Sequence, residues 1–395
     1  MFAPVNVINI LITTDTPLIF FSFLSAWFLY RALYETKSIQ DFLFTGLFLG
    51  FAFLSKYFAV LLGISYGLYI ILFHRDKKSL TGLSLIFMMV VPFAVLNLVW
   101  NYNHCWNNIL FNAFNRTAGE VKPLTNLTKY IATLVYLFSP VLIYFVIKNR
   151  SLIKQKWSDK SYRYYIWLAF FPLVLFLILL FKKTIGLHWI FSFYPFIFIA
   201  LATMLNAKQW RITFHFMWVL SLIHVIAISS IMLLPVKTFE NKKEAVENLI
   251  FGKYPDEVLA RLKPYENDYT FATISYGMSS VASYYAKRHF IVIDKASYHA
   301  REDDSLTDYK TLDGKNILIF KRTKVNLDKL SRYFKVSKRE SFKVREATFE
   351  LLIGNGFNYT LYHDEILKKI NRDYYNIPDW LPSAQCEFKD KYDFD

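Results

Sequence analysis

The first 234 residues of this 395-residue chain are poor in acidic groups: six Asp/Glu stand there against 19 Lys/Arg, whereas the remainder holds 25 and 27. So little charge over such a length excludes a soluble surface for that part. Cysteine is nearly absent. The two present, Cys105 and Cys386, have no metal-ligand spacing and make no framework, and they read as unrelated thiols. No glycine-rich strand-to-helix loop occurs, so "GNGF" at Gly354–Phe357 reads as a hairpin turn and not a phosphate cradle. No basic face on a soluble fold is in view, which argues against nucleic acid as a partner. No secretory leader stands out either, since Met1 runs into "APVNVINILI", an apolar stretch too short to cross a bilayer alone.

What is there is apolar: 54% of residues are hydrophobic and 19% aromatic. Runs long enough to cross, or nearly cross, the bilayer core lie at roughly 17–34, 57–73, 80–99, 128–147, 163–181, 189–205 and 212–234, with a shorter one at 42–54. These predict an α-helical polytopic membrane protein of about eight crossings, after a partial first one, over residues 1–234. Gly46 and Gly50, four apart, suit close helix packing. The loops 31–41, 74–79, 148–163 and 206–211 carry 13 Lys/Arg, and the alternate set carries six. The positive-inside rule puts the richer set in the cytoplasm. Residues 235–395 change character: "YTFATIS", "HFIVIDK", "KNILIFKR" and "ATFELLIG" read as strands, and "MSSVASYYAK" and "NLDKLSRYF" as helices. They predict a soluble α/β domain on the outward side.

Most of the unusual polar residues of the membrane part fall on that same side. Asp15 begins the first full run with Pro17 in its first turn, and suits either a helix start or a site carboxylate. Lys56 interrupts two apolar runs. A lysine at mid-membrane costs roughly 2.5–3.5 kcal/mol, so it belongs at a break near the interface or beside a polar cavity. "VWNYNHCWNNILFNAFNR" gathers Asn101, His104, Trp106 and Arg116, and Arg116 offers the planar fork that grips phosphate. "FKKTIGLHWIFSFYPF" adds Lys183, His188 and Trp189. One carboxylate among several cations and imidazoles suits an anionic, lipid-linked substrate.

"TTDTPLIFF", "GLFLGFAFLSKYFAVLLG", "WNYNHCW" with its downstream arginine, and "LHWIFSFYPF" occur in this order. Together they resemble the polyprenyl-phosphate-sugar-dependent glycosyltransferases of the GT-C superfamily. The branch is the bacterial one related to protein O-mannosyltransferases, the lipid A aminoarabinose transferase and the galacturonosyl transferases of lipopolysaccharide core. The resemblance implies an enzyme of the bacterial inner membrane with a periplasmic C-terminal domain. It would move a sugar from a polyprenyl-phosphate carrier to a lipid or glycan acceptor, among membrane lipids, generally with inversion. Arg116 and Lys56 would hold the carrier phosphate, with Asp15 and His188 at the reacting centre. Asn101, His104, Trp106, Lys183 and Trp189 would line the pocket. The departing phosphate calls for cations, from side chains or a metal; no cofactor is fixed by the resemblance, and a divalent metal beside Asp15 is left open. Members of the family open with a further helix and an outward loop whose aspartate is the usual base. The resemblance begins after that loop, so the chain reads as truncated, as either a fragment or an inactive remnant. A non-enzymatic polyprenyl-lipid binder on the same scaffold is the competing reading. A secondary transporter fits less well, for want of an internal repeat and of charge deep within a span.

Overall fold

A computed structural model describes residues 14–113, 122–182, 187–239, 241–294, 302–321, 328–382 and 385–394. The chain divides into two compact units, Met1–Val99 with Ala118–Ser229, and Trp100–Thr117 with Ser230–Asp395. The second unit therefore combines a segment that follows residue 99 with the C-terminal part from Ser230 onward.

The first unit is helical: α1 Asp15–Tyr34, α2 Ile39–Ser55, α3 Ala59–Phe73 and α4 Lys77–Tyr102, then, beyond α5 Asn107–Ala113 of the other unit, α6 Pro123–Phe138, α7 Pro140–Lys148, α8 Arg150–Lys156, α9 Lys160–Leu179, α10 Tyr194–Ala202 and α11 Ala207–Leu233. Among the described residues, α1, α4, α9 and α11 are long and apolar enough to cross a membrane, and the bent pair α6–α7 passes the same test only when its two helices are taken together, as a broken span or a re-entrant loop. The apolar helices α2 and α3 have only 17 and 15 residues, and α10 has nine. Every predicted run is largely helical, but by length the helices do not offer eight full crossings.

The run at 128–147 is corrected most clearly. It is two helices meeting at 84°. A residue before proline is pushed out of the helical region, and Ser139, before Pro140, sits at φ 59°, ψ 142°. Its hydroxyl then caps α7 by accepting from Leu142 N.

Side-chain size decides how α2 packs. Toward α1 it presents phenylalanines, with Phe28 5.0 Å from Phe44 and Phe21 5.2 Å from Phe51. Toward α4 it presents glycine: a Cβ on Gly46 would come within 2.6 Å of the Ile86 carbonyl oxygen, and one on Gly50 within 2.2 Å of the Phe93 ring. Only glycine permits that approach, as expected from the sequence. Ser25 Oγ donates to the Thr45 carbonyl and accepts from Tyr66 Oη, joining α1, α2 and α3 through polar atoms inside an apolar bundle.

The second unit contains a five-stranded sheet built from β1 Thr270–Thr273, β2 Ile291–Val292, β3 Ile317–Lys321, β4 Phe334–Val344 and β5 Ala347–Phe357. Its order is β2-β1-β3-β5-β4, with the first three parallel and the last two antiparallel to their neighbours. Strand alternation sends Phe271, Leu318 and Phe320 to one face, under α12 Lys243–Lys253 and α13 Tyr276–Ala286. Ala272, Ile317 and Ile319 face the other way, toward α14 Lys368–Tyr374 and α15 Glu387–Tyr392. The fold of this unit is α/β, as expected.

Two local readings change. "GNGF" is no turn: it lies in β5, where Gly354 admits the Phe334 ring at a position where a Cβ would stand 2.4 Å away. The hairpin turn is Arg345-Glu346, with Arg345 at φ 53°. "NLDKLSRYF" is helical only over Asp328–Ser331 among the described residues, and Phe334 already opens β4.

The glycine contact is tested by two substitutions of equal chemistry. Gly46→Ala is expected to lower stability by about 1–3 kcal/mol through overpacking. Gly67→Ala, whose Cβ meets only Phe87 at 4.0 Å, is expected to be neutral or stabilising by up to about 1 kcal/mol. Thermal unfolding of the purified protein in detergent separates the two.

Candidate active site

Asp15 is the first residue of α1, but it does not serve as the helix cap: the residue before it, Thr14, stands at that position and makes no side-chain cap. The Asp15 carboxylate accepts from Lys56 Nζ at 2.6 Å, with each side chain 14% exposed. Lys56 reaches it because α2 ends there. Its backbone is extended, at φ −167° and ψ 138°, between α2 and α3. The lysine thus sits at a break, where the cost of membrane burial placed it, and its charge is matched by a carboxylate 41 residues earlier.

Aromatic rings close one side of the pair. Lys56 Nζ lies 5.8 Å from the Phe58 ring, and Phe58 packs on Trp189 at 4.5 Å and on Phe176 at 5.7 Å. Tyr57 donates to Asn97 Oδ1 at 2.9 Å, fixing the start of α3 to α4. Asp15, Lys56 and Trp189 therefore share one neighbourhood. Phe58, which the sequence does not single out, is the ring that joins them; its only signal is its place two residues after Lys56. Arg116 and Lys183 lie outside the described residues, and His188 is described in its backbone alone, within a 3-10 turn at Leu187–Ile190.

Asn101, His104 and Trp106 belong to the second unit. Asn101 is fully buried, and its Oδ1 accepts from Ile109 N while its carbonyl accepts from the amides of His104 and Trp106. It builds the turn from α4 into α5. Trp106 is 5% exposed and donates through Nε1 to the Pro382 carbonyl at 3.0 Å. These two side chains hold structure. His104 is exposed, stacked on Trp100 at 4.3 Å, with Nδ1 against the Trp100 carbonyl, which leaves Nε2 outward.

Cys105 and Cys386 are not separate thiols. They form a disulfide with Cα atoms 4.4 Å apart. The bond fastens two consecutive left-handed residues, Cys105 at φ 55° and Trp106 at φ 54°, a costly conformation that persists where its surroundings enforce it. Cys105 N also donates to the Gln385 carbonyl.

Lys56→Met leaves Asp15 charged and unpaired, with an expected loss of about 3–5 kcal/mol. Adding Asp15→Asn should recover most of it, as read by thermal unfolding of the single and double variants. Cys386→Ser is expected to cost about 2–5 kcal/mol and to expose Cys105 to a thiol-reactive mass tag without prior reduction.

A family model described as dolichyl-phosphate-mannose-protein mannosyltransferase matches residues 1–100, the stretch that contains Asp15 and Lys56. No curated protein and no solved structure matches the chain.

Proposed function

We propose that this chain is a membrane glycosyltransferase of the GT-C type, which takes a sugar from a polyprenyl-phosphate carrier and transfers it to a hydroxyl of a lipid or glycan acceptor. The observation that carries the reading is the Asp15–Lys56 ion pair at the α2–α3 break, inside the stretch matched by the mannosyltransferase family model. An acceptor hydroxyl must lose a proton as it attacks the anomeric carbon, and the departing phosphate must be stabilised as its charge grows.

In this reading the carrier phosphate competes with Asp15 for Lys56. As Lys56 turns to the phosphate, it leaves the carboxylate free to accept a hydrogen bond from the acceptor hydroxyl. Asp15 then takes the acceptor's proton, the new glycosidic bond forms with inversion, and the bond to the phosphate oxygen breaks. The polyprenyl phosphate leaves with that electron pair, held by Lys56 and Arg116. His188 and Trp189 border the sugar, with the Phe58 ring behind Trp189. A divalent metal fits this neighbourhood poorly. Asp15 is the single carboxylate placed there, and no group of three His, Cys, Asp or Glu is found among the described residues.

The outward, periplasmic placing of the site and of the C-terminal unit draws support from two independent sources. Loop charges favour it. So does the Cys105–Cys386 bond, because disulfides persist in oxidising compartments. The bacterial inner membrane is the setting proposed.

Transfer from a labelled polyprenyl-phosphate sugar by the purified chain tests the assignment. Arg116→Ala and Asp15→Asn are each expected to lower the rate by about 10²–10³. Unchanged transfer in both variants would overturn the roles assigned to these two residues, and donor binding without transfer would favour the lipid-binding alternative. A reporter fused at Lys154 should behave as cytoplasmic and one fused after Asp395 as periplasmic; the reverse pattern would refute the outward site.

A further inference from the structure

The end of α1 opposite Asp15, about 30 Å along the helix, holds a second polar constellation that the transfer chemistry does not use. Three helices meet there. The hydroxyls of Tyr34 on α1 and Tyr69 on α3 lie 2.5 Å apart, and His74 Nε2, just past α3, is 2.9 Å from Tyr34 Oη. From the first turn of α9, the Arg163 side chain reaches both phenols, and its guanidinium lies 5.2 Å over the Phe73 ring. Lys160 Nζ stands 5.6 Å over the Tyr34 ring. His74 feels the charges of Arg163, of Asp76, of Lys37 in the α1–α2 loop, and of Lys160.

The nearby carboxylates have other work. Asp76 accepts from the Ser79 amide and hydroxyl, though its charge also bears on Lys37 and His74; Asp41 binds Thr36 and Arg31, and Asp159 caps α9 through the amides of Ser161 and Tyr162. Among the described residues, no carboxylate pairs with Lys37, Lys160 or Arg163. Arg163 Nε is shut off from solvent with its hydrogen-bonding capacity unspent. Positively charged residues at a membrane boundary ordinarily extend into water. Arg163 instead lies against rings and phenols, with Nη1 donating to the Trp157 carbonyl at 3.5 Å.

The geometry points to a binding site for a phosphate group, formed by Arg163, Lys160 and Lys37 with Tyr34 and His74. A guanidinium fork, two ammonium groups and phenolic donors converging from three elements match a tetrahedral ligand with several anionic oxygens better than a single carboxylate. Two sources offer that chemistry. One is the headgroup of an anionic phospholipid, abundant in the leaflet toward which the lysine-rich loops point; the other is free phosphate. The inference is independent of the transferase reading, since it concerns the opposite end of α1.

The experiment uses the full chain. In nanodiscs of mixed phosphatidylglycerol and phosphatidylcholine, lipid retained after detergent extraction is quantified by mass spectrometry; inorganic phosphate is titrated calorimetrically in detergent. Retention of phosphatidylglycerol above its bulk proportion, reduced about fivefold by Lys160→Gln and further by Arg163→Gln, supports the lipid source. Phosphate binding weakened by the same variants supports the free anion. Lys160 is exposed, so its substitution leaves the fold intact. Lys154→Gln, on exposed α8, serves as the charge control. If neither probe binds, or if Lys154→Gln acts as strongly as Lys160→Gln, the site does not exist.

Discussion

A charge removed from water must find its opposite, and the pairing of Asp15 with Lys56 meets that demand at the one place where the apolar run of α2 and α3 is interrupted. The pair fixes the start of α1 to the α2–α3 break. The packing of α2 determines where that break lies: phenylalanines hold it to α1, and Gly46 and Gly50 let it approach α4 at backbone distance. Shifting α2 along either neighbour would carry Lys56 away from its partner. The chemistry proposed for the site follows from the same constraint, because a competing charge can draw Lys56 from its partner. A phosphate is such a charge.

Much of this is legible in the sequence because the bilayer is a simple solvent. Apolar runs declare the helices, and the cost of a buried ammonium places Lys56 at a break. Asp15 is visible as an isolated carboxylate at a helix start, though its partner is not, since nothing in sequence relates position 15 to position 56. In the C-terminal unit, β1, β3 and β5 are legible through their β-branched and aromatic residues.

What the sequence hides has physical causes. Strand β4, "FKVSKRESFKV", is an edge strand exposed along most of its length, so it carries charge where a buried strand carries apolar groups. The Cys105–Cys386 bond and the Trp106–Pro382 contact join residues far apart in the chain, and only the folded second unit brings them together. Asn101 and Trp106 belong to the same case: their place in a tight buried turn depends on bonds to Ile109 and Pro382 that the sequence does not display. Arg163 reads in sequence as one loop charge among many, because its rings and phenols come from α1 and α3.

The disulfide also imposes an order on assembly. Its second cysteine is synthesised 281 residues after the first, when the described membrane helices have all been made. Until then Cys105 remains a thiol beside a turn that only the local hydrogen bonds of Asn101 define. A chain that stalls or is cut short before residue 386 keeps that thiol open to mixed disulfides with oxidoreductases, while a finished chain does not. The covalent bond therefore distinguishes completed molecules from incomplete ones by the state of a single thiol.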